Sequence, residues 1–416
     1  MEVMPVVNKL FTVLPPSDAL AAMCAAAPVP ANIETVALAD ALERVLARSV
    51  RSDQTLPAFA RATMDGFAVR AADTYGASES APAYLEVIGE VLMGTVPTLI
   101  VAPGTAARIH TGAMLPSGAD AVVMVEETNA RGNQIEVLTS VAGGEDVLAI
   151  GEDIVAGAEA VARGRRLRAA DLGALAALGE THVAVYRRPR IAILSTGDEV
   201  VPVEAQPALA QVRDVNSHTI SAIVRRAGGD PIACGIVRDD ERELETRARA
   251  ALAGADALVL SAGSSVSARD YTAGVVERLG SPGILAHGIA IKPGKPTVLA
   301  ACDGKPVIGL PGNPASALVV AWRMLAPLVR HLGGESLRAA SDMREAILDT
   351  SVASRPGRED YVPVHLHELD GALHAAPIFG ASNLIFTLVR ADALLFVPID
   401  RSGLASGEHV SVIALD

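Results

Sequence analysis

The chain has 416 residues, of which 50% are hydrophobic and only 3% aromatic, and it carries a formal net charge of -13. That length exceeds what one core supports and implies about two to four domains, with cores built from Ala, Val, Leu and Ile. The acidic far field argues against nucleic-acid and membrane-surface binding, so an anionic substrate would need a local cationic pocket.

The opening MEVMPVVNKLFTVLPP has no basic stretch leading into a long apolar run and a small-residue cleavage site, so no export signal is expected. Cys24, Cys234 and Cys302 lack metal-ligand spacing and read as buried free thiols of a reducing compartment. A cytoplasmic location follows from both. Residues 16–48 carry helical patterning in SDALAAMCAAA and ALADALERVLA, broken by a Pro-containing segment. From about 57 to 147 short runs such as YLEVIGEV, TAARIHTG, DAVVMVEE and QIEVLTSV alternate with turn residues, which predicts a small β-domain. Helical patterning returns in LRAADLGALAALG, residues 167–179, expected to pack on the first helices and to make the β-domain an insertion. From Pro189 strands alternate with helices, with HGIAIKP, PTVLAAC and KPVIGLP closing a mostly parallel, doubly wound sheet that binds ligands at its strands' carboxyl ends. The apolar window Val307–Val329 is interrupted by Pro311, Gly312, Asn313, Pro314 and Arg323, so it reads as strand, turn and buried helix rather than a membrane span. Runs such as DALLFVPI and HVSVIAL, beyond about 340, predict a small β-barrel or sandwich. The expected domains are 1–56 with 148–187 (helical), 57–147 (β), 188–335 (α/β) and 336–416 (β-barrel).

Four polar loops follow strands of the α/β region. In STGDEV, Asp198 and Glu199 can orient a water, a metal or a ligand hydroxyl, or simply cap the next element. In RDD, Asp240 suits a helix N-terminus, whereas Asp239 is better placed to face a cleft. SAGSSVSARD has small residues, including Ser265, that let backbone N–H groups approach an anion, and it ends in Asp270, a candidate N-cap. In GLPGNPAS, Asn313 can cap a helix, Pro314 can begin it, and Ser316 can donate from its first turn, where the tight approach invites an oxyanion.

The most informative stretch is IAIKPGKPTVL. Proline locks φ and removes a backbone donor, so Lys292-Pro293-Gly294-Lys295-Pro296 is expected neither to join a sheet nor to coil freely. The segment is either a solvated turn or a rigid cationic niche for a tetrahedral dianion, a task that suits lysine as a point charge. Arg358 in PGRED and Ser382 in GASN can complete such a pocket from the last domain. In the β-domain, TMDGF and RIHTG read in isolation as turns, and His110, His218 and His287 have no partner at metal-ligand spacing.

Together these stretches resemble the molybdopterin molybdenumtransferases, the family of bacterial MoeA and the gephyrin E domain. TMDGFAVR, RIHTGAMLPSGADAVVMVE, GEDIVAGA, ILSTGDEV, GIVRDD, the serine loop, IKPGKP, GLPGNPAS and PGR occur in the family's order along the whole chain. The resemblance implies an elongated helical domain interrupted by a β-domain, a three-layer α/β domain that binds molybdopterin, and a C-terminal β-barrel. It also implies a homodimer with active sites near the subunit interface, and a reaction in which adenylylated molybdopterin and molybdate give molybdenum cofactor and AMP, supported by Mg2+. By matching position, Lys292, Lys295, Pro296, Ser316, Arg358 and Ser382 would form the molybdate pocket. Asp65, Thr111, Glu199, Asp239 and Asp270 match positions for catalysis or pterin-nucleotide binding, with Ser265 in the phosphate-facing loop and Glu199, Asp239 and Asp270 as candidate Mg2+ ligands. The serine loop departs from the pattern, with Ala262 and Ser267 where the family has glycine. Two alternatives remain at this point: a non-catalytic molybdopterin carrier or scaffold, and a molybdopterin adenylyltransferase. Contact with such an adenylyltransferase, and molybdate against tungstate, stay open.

Overall fold

The computed structural model describes residues 13–29, 32–261, 266–336 and 343–415, without the side chains of 266–271. They fall into two compact units, one made of the chain up to Ala47, Gly164–Arg168 and everything from His182, the other of Arg48–Arg163 and Ala169–Thr181.

The first unit centres on a six-stranded sheet in the order Asp230–Val237, Arg190–Thr196, Ala257–Ser261, Lys305–Leu310, Val298–Cys302, Pro282–His287. Its first four strands are parallel, and the last two each pair antiparallel with the strand before them, so Val298–Cys302 alone runs against the rest. Side chains of the second strand alternate between two cores. Ile191 and Ile193 pack with residues of helices Pro16–Ala26 and Asn216–Arg226 and of the segment Pro314–Leu332, whereas Ala192 and Leu194 pack with Glu241–Ala253 and Val266–Arg278. The sheet is therefore covered on both faces, giving the three-layer α/β architecture, and this is why its strands read as unbroken apolar runs. Pro314–Leu332 is helical throughout, with a π-helical segment at Ala321–Leu325. Pro327 lacks an N–H and its ring crowds the carbonyl four residues earlier, so a wider turn ahead of it relieves the clash.

The C-terminal part is a closed barrel. Strands Glu359–Leu369, Ala372–Pro377, Met343–Leu348, His409–Ala414 and Ala393–Val397 pair in that order, and the last pairs with the first. Ala346, Leu348, Val364, Leu395 and Val412 fill its interior.

Three expectations are corrected. ALADALERVLA is not a helix: after strand Ile33–Ala37 it forms only a 3-10 turn at Leu38–Asp40, and Glu43 adopts φ 61°. A short uncapped helix is marginal in water, whereas the observed conformation pairs Ile33–Ala37 with His182–Tyr186 and buries Leu46 completely. Helix Pro16–Ala26 packs within the α/β unit, and helix Ala169–Ala177 belongs to the other unit. Ile291–Lys292 does join a sheet, the barrel's and not the α/β sheet: it runs parallel to Glu359–Leu369 with Lys292 opposite Asp360. Proline forbids a donor only at its own position, and Lys292 precedes it. Finally, Cys302 is buried, its thiol pushed up to about 11 by burial, but Cys24 and Cys234 are only half-buried.

The second unit holds a six-stranded sheet in the order Ala121–Met124, Gly66–Val69, Thr105–Ile109, Ala83–Val91, Gln134–Val137, Thr128–Arg131. Leu85, Ile135, Val123 and Val69 form part of one core beneath it. Among the described residues, no helix is long and apolar enough to cross a membrane.

Within the lysine turn, Gly294 has φ 118° and a Cβ there would lie 2.3 Å from Val320 Cγ2. We expect Gly294→Ala to cost about 1–3 kcal/mol of stability, measured by denaturant unfolding. Adding Val320→Ala should recover only part, because the backbone strain persists.

Candidate functional site

Six residues named from sequence converge. Lys292, Lys295, Pro296, Ser316, Arg358 and Ser382 all line one cleft of about 770 Å³. Three mechanisms place them. The short strand Ile291–Lys292 delivers the first lysine against the barrel, and the turn is held by Thr297 Oγ1 donating to the Gly294 carbonyl at 2.7 Å. Ser316 lies in the first turn of Pro314–Val320. Ser382 is docked there from the barrel: Asn313 Nδ2 donates to Ser382 Oγ at 3.0 Å and the Ala315 N–H donates to the Ser382 carbonyl at 3.1 Å. Asn313 thus occupies the N-cap position but does not cap, and one N–H expected for an oxyanion is already engaged.

Sequence reasoning missed the group that organises this cleft. Asp360 is 1% exposed. Arg358 Nε donates to its Oδ1 at 2.8 Å and Arg358 Nη2 to its Oδ2 at 3.3 Å, with Lys292 Nζ 3.7 Å from Oδ2. A buried carboxylate is tolerated only when so paired. Three cations (Lys292, Lys295, Arg358) against one carboxylate leave two positive charges in excess. The available signal was the spacing in Arg358-Glu359-Asp360, because residues two apart on a strand share a face. Next to it, Tyr361 donates to Glu359 Oε2 at 2.6 Å under Arg323, 5.2 Å from its ring centroid; burial pushes the tyrosine hydroxyl well above its ordinary value.

A second cleft, about 740 Å³, opens at the carboxyl ends of the parallel strands and shares Asn313 with the first. Ser195, Thr196 and Ser261 from strand ends line it, with Glu199 and Asn216. Asp214 accepts from Ser195 Oγ at 2.8 Å and from the Ser217 N–H at 3.0 Å. Asn216 Nδ2 donates to Ser261 Oγ at 2.8 Å and to the Gly312 carbonyl at 2.9 Å. The Gly312 carbonyl can only accept, which fixes the amide's orientation and leaves the buried Oδ1 without a partner among the described residues. Asp239 accepts from Thr196 Oγ1 at 2.9 Å, while Asp240 caps helix Glu241–Ala253 through the Glu243 N–H, as expected. Ser265 and the side chain of Asp270 lie outside the described residues.

In the second unit, Asp65 and Thr111 meet. Asp65 Oδ1 accepts from the Thr111 N–H at 2.7 Å and its hydroxyl at 3.0 Å, bonds that hold the Asp65 carboxyl below its ordinary value. His110 is satisfied by Glu90, 2.7 Å from its Nε2, and its Nδ1 is 4.0 Å from Asp65 Oδ1.

Three family models match in the same chain order: the MoeA N-terminal region (domain I and II) over residues 14–179, a probable molybdopterin binding domain over 192–331, and the MoeA C-terminal region (domain IV) over 345–415. A molybdopterin molybdenumtransferase of Nostoc sp. is 36% identical over 92% of this chain and 89% of its own. This chain belongs to the molybdopterin molybdenumtransferase family. A Bacillus subtilis relative of that name is 31% identical over 92% of the chain and 90% of its own. The fold agrees: the structure of a molybdopterin biosynthesis MoeA protein from Pyrococcus horikoshii OT3 aligns with TM-score 0.83 at 29% identity, covering 97% of this chain and all of that one.

Two outcomes are expected. Asp360→Asn should lower stability by about 1–3 kcal/mol, since both cations lose their counter-charge but keep partial solvation, with an unchanged denaturant slope. Thr111→Val should raise the Asp65 pKa toward the ordinary aspartate value of about 3.9, read by carboxyl 13C NMR. The sign follows from removing one of two donors that favour the ionised form.

Proposed function

We propose that this chain inserts molybdenum from molybdate into adenylylated molybdopterin, giving molybdenum cofactor and AMP. The observation that carries this reading is the convergence of Lys292, Lys295, Ser316, Arg358 and Ser382 on one cleft that shares Asn313 with a second, polar cleft. Molybdate is a tetrahedral dianion, and the first cleft's two excess positive charges match it. The second cleft takes the pterin and nucleotide. There the unpartnered Asn216 Oδ1 supplies an acceptor for a ring N–H, which offsets the cost of leaving it buried and unpaired.

In this reading a water or molybdate oxygen attacks a phosphorus of the phosphoanhydride, forming a new P–O bond as the bond joining AMP to molybdopterin phosphate breaks and AMP leaves. Lys292 and Lys295 hold the oxyanion against the dithiolene, and Arg358 and the two serines orient it. Asp65, kept ionised by Thr111, enters this proposal by its family position, as a carboxylate that can accept a hydrogen bond from a water. Glu199 and Asp239, together with Asp270, are proposed to hold Mg2+, which would neutralise phosphate charge. Glu199 lines the second cleft and Asp239 accepts from Thr196, which lines it too, and Mg2+ needs only one or two carboxylates beside phosphate oxygens. A homodimer in which both chains contribute to each site belongs to the same proposal.

The test is cofactor assembly in vitro from adenylylated molybdopterin and molybdate. The parent should release AMP and form cofactor; tight ligand binding without AMP release would instead favour a carrier. A hydrogen bond to a charged group is worth about 1.5–3 kcal/mol, so Lys295→Ala should raise the molybdate KM by roughly 10–100-fold. Affinity for the pterin nucleotide should change much less. Equal loss of both would contradict the role given to Lys295.

A further inference from the structure

Away from both clefts, the barrel carries a second chemically distinct cluster. His367, on strand Glu359–Leu369, stands directly opposite His374, on strand Ala372–Pro377. His374 pairs in turn with Ile347, and Asp349 follows two residues later, just past the end of that strand. Residues opposite each other, or two apart on a strand, share a face. Ala346 and Leu348 belong to the interior set, so Ile347 and its row belong to the outer face. Three neighbouring segments therefore contribute one metal-ligating side chain each to a single point.

The atoms converge accordingly. His374 Nδ1 is 2.8 Å from Asp349 Oδ1 and His367 Nε2 is 3.5 Å from Asp349 Oδ2. One ligand atom from each of the three residues lies within 4.8 Å of the others. Ligands about 2.0–2.2 Å from a tetrahedral Zn2+ stand about 3.3–3.5 Å apart, a spacing reached by side-chain adjustment alone. The Asp349 backbone is fixed, because its N–H donates to the Ala375 carbonyl at 3.0 Å and its carbonyl accepts from Ser406 Oγ at 2.7 Å. All three side chains are partly exposed, which leaves an entry path and an open coordination position.

We propose that Asp349, His367 and His374 form a binding site for a divalent first-row transition ion of the zinc type. Two imidazoles and one carboxylate select such an ion over Mg2+ or Ca2+, which prefer all-oxygen sites. The site is separate from the carboxylates assigned to Mg2+, and it stands or falls independently of the molybdenum reaction. Its physical effect is to tie three adjacent barrel segments together, so the bound ion stabilises the folded chain by mass action.

The experiment uses the full, tag-free chain stripped with a chelator. Co2+ titration is followed by visible ligand-field absorption, and Zn2+ titration by calorimetry and thermal unfolding. The parent should take up one equivalent per chain and gain thermal stability. His374→Gln and Asp349→Asn should each weaken affinity by at least about 10-fold and lose the stability gain, with AMP release and far-UV circular dichroism unchanged. His218→Gln should bind as the parent does. Parental affinity in both site variants, or uptake that the His218→Gln chain loses equally, would overturn the proposal and leave an adventitious ion only.

Discussion

The candidate site depends on one contact: the buried carboxylate of Asp360 shared by Lys292 and Arg358. It sits where the two-residue strand Ile291–Lys292 joins the barrel, so the ion pairs and the backbone pairing secure the same point. Without the carboxylate, two cations would face each other across the cleft at a cost in repulsion. With it, the cleft keeps a limited positive excess, and the arginine is held by a bidentate fork rather than left free to swing. An acidic chain can thereby present an anion site, because the local field is set by groups a few ångströms away and the distant negative charge is screened.

The rigidity of this arrangement comes from its neighbours. Gly294 lets the lysine turn press on Val320, and Ser382 grips the start of the helix that carries Ser316. Backbone from the α/β sheet, the long helix and the barrel is thus locked around one volume before any ligand arrives. Preorganisation of this kind lowers the cost of binding a small ion, whose own hydration must be given up.

In the proposed reaction the two clefts divide the work in a physically sensible manner. The first is defined by fixed charges, suited to an inorganic oxyanion. The second is lined by hydroxyls, amides and carboxylates at strand ends, suited to a heterocycle and phosphates read by hydrogen bonds. The histidine cluster on the barrel belongs to neither, since its ligands are softer and its position is on the outer face.

The sequence alone determined the succession of an α/β sheet and a C-terminal β-region, because continuous apolar strands and alternating ones follow directly from burial on two faces or one, while the choice of barrel over sandwich came from the family resemblance. It also determined which polar residues end the strands and that the lysines sit on a stiff turn. Its helical reading of ALADALERVLA failed, since local periodicity competes with strand pairing to distant residues 182–186 and loses. Only the tertiary structure decided that Ile291–Lys292 joins the barrel, that Asp360 organises the cations, and that Asn216 keeps an oxygen without a partner among the described residues. Apart from the local Arg358–Asp360 spacing, these depend on contacts between residues tens of positions apart, and such contacts leave no periodic mark on the chain that makes them.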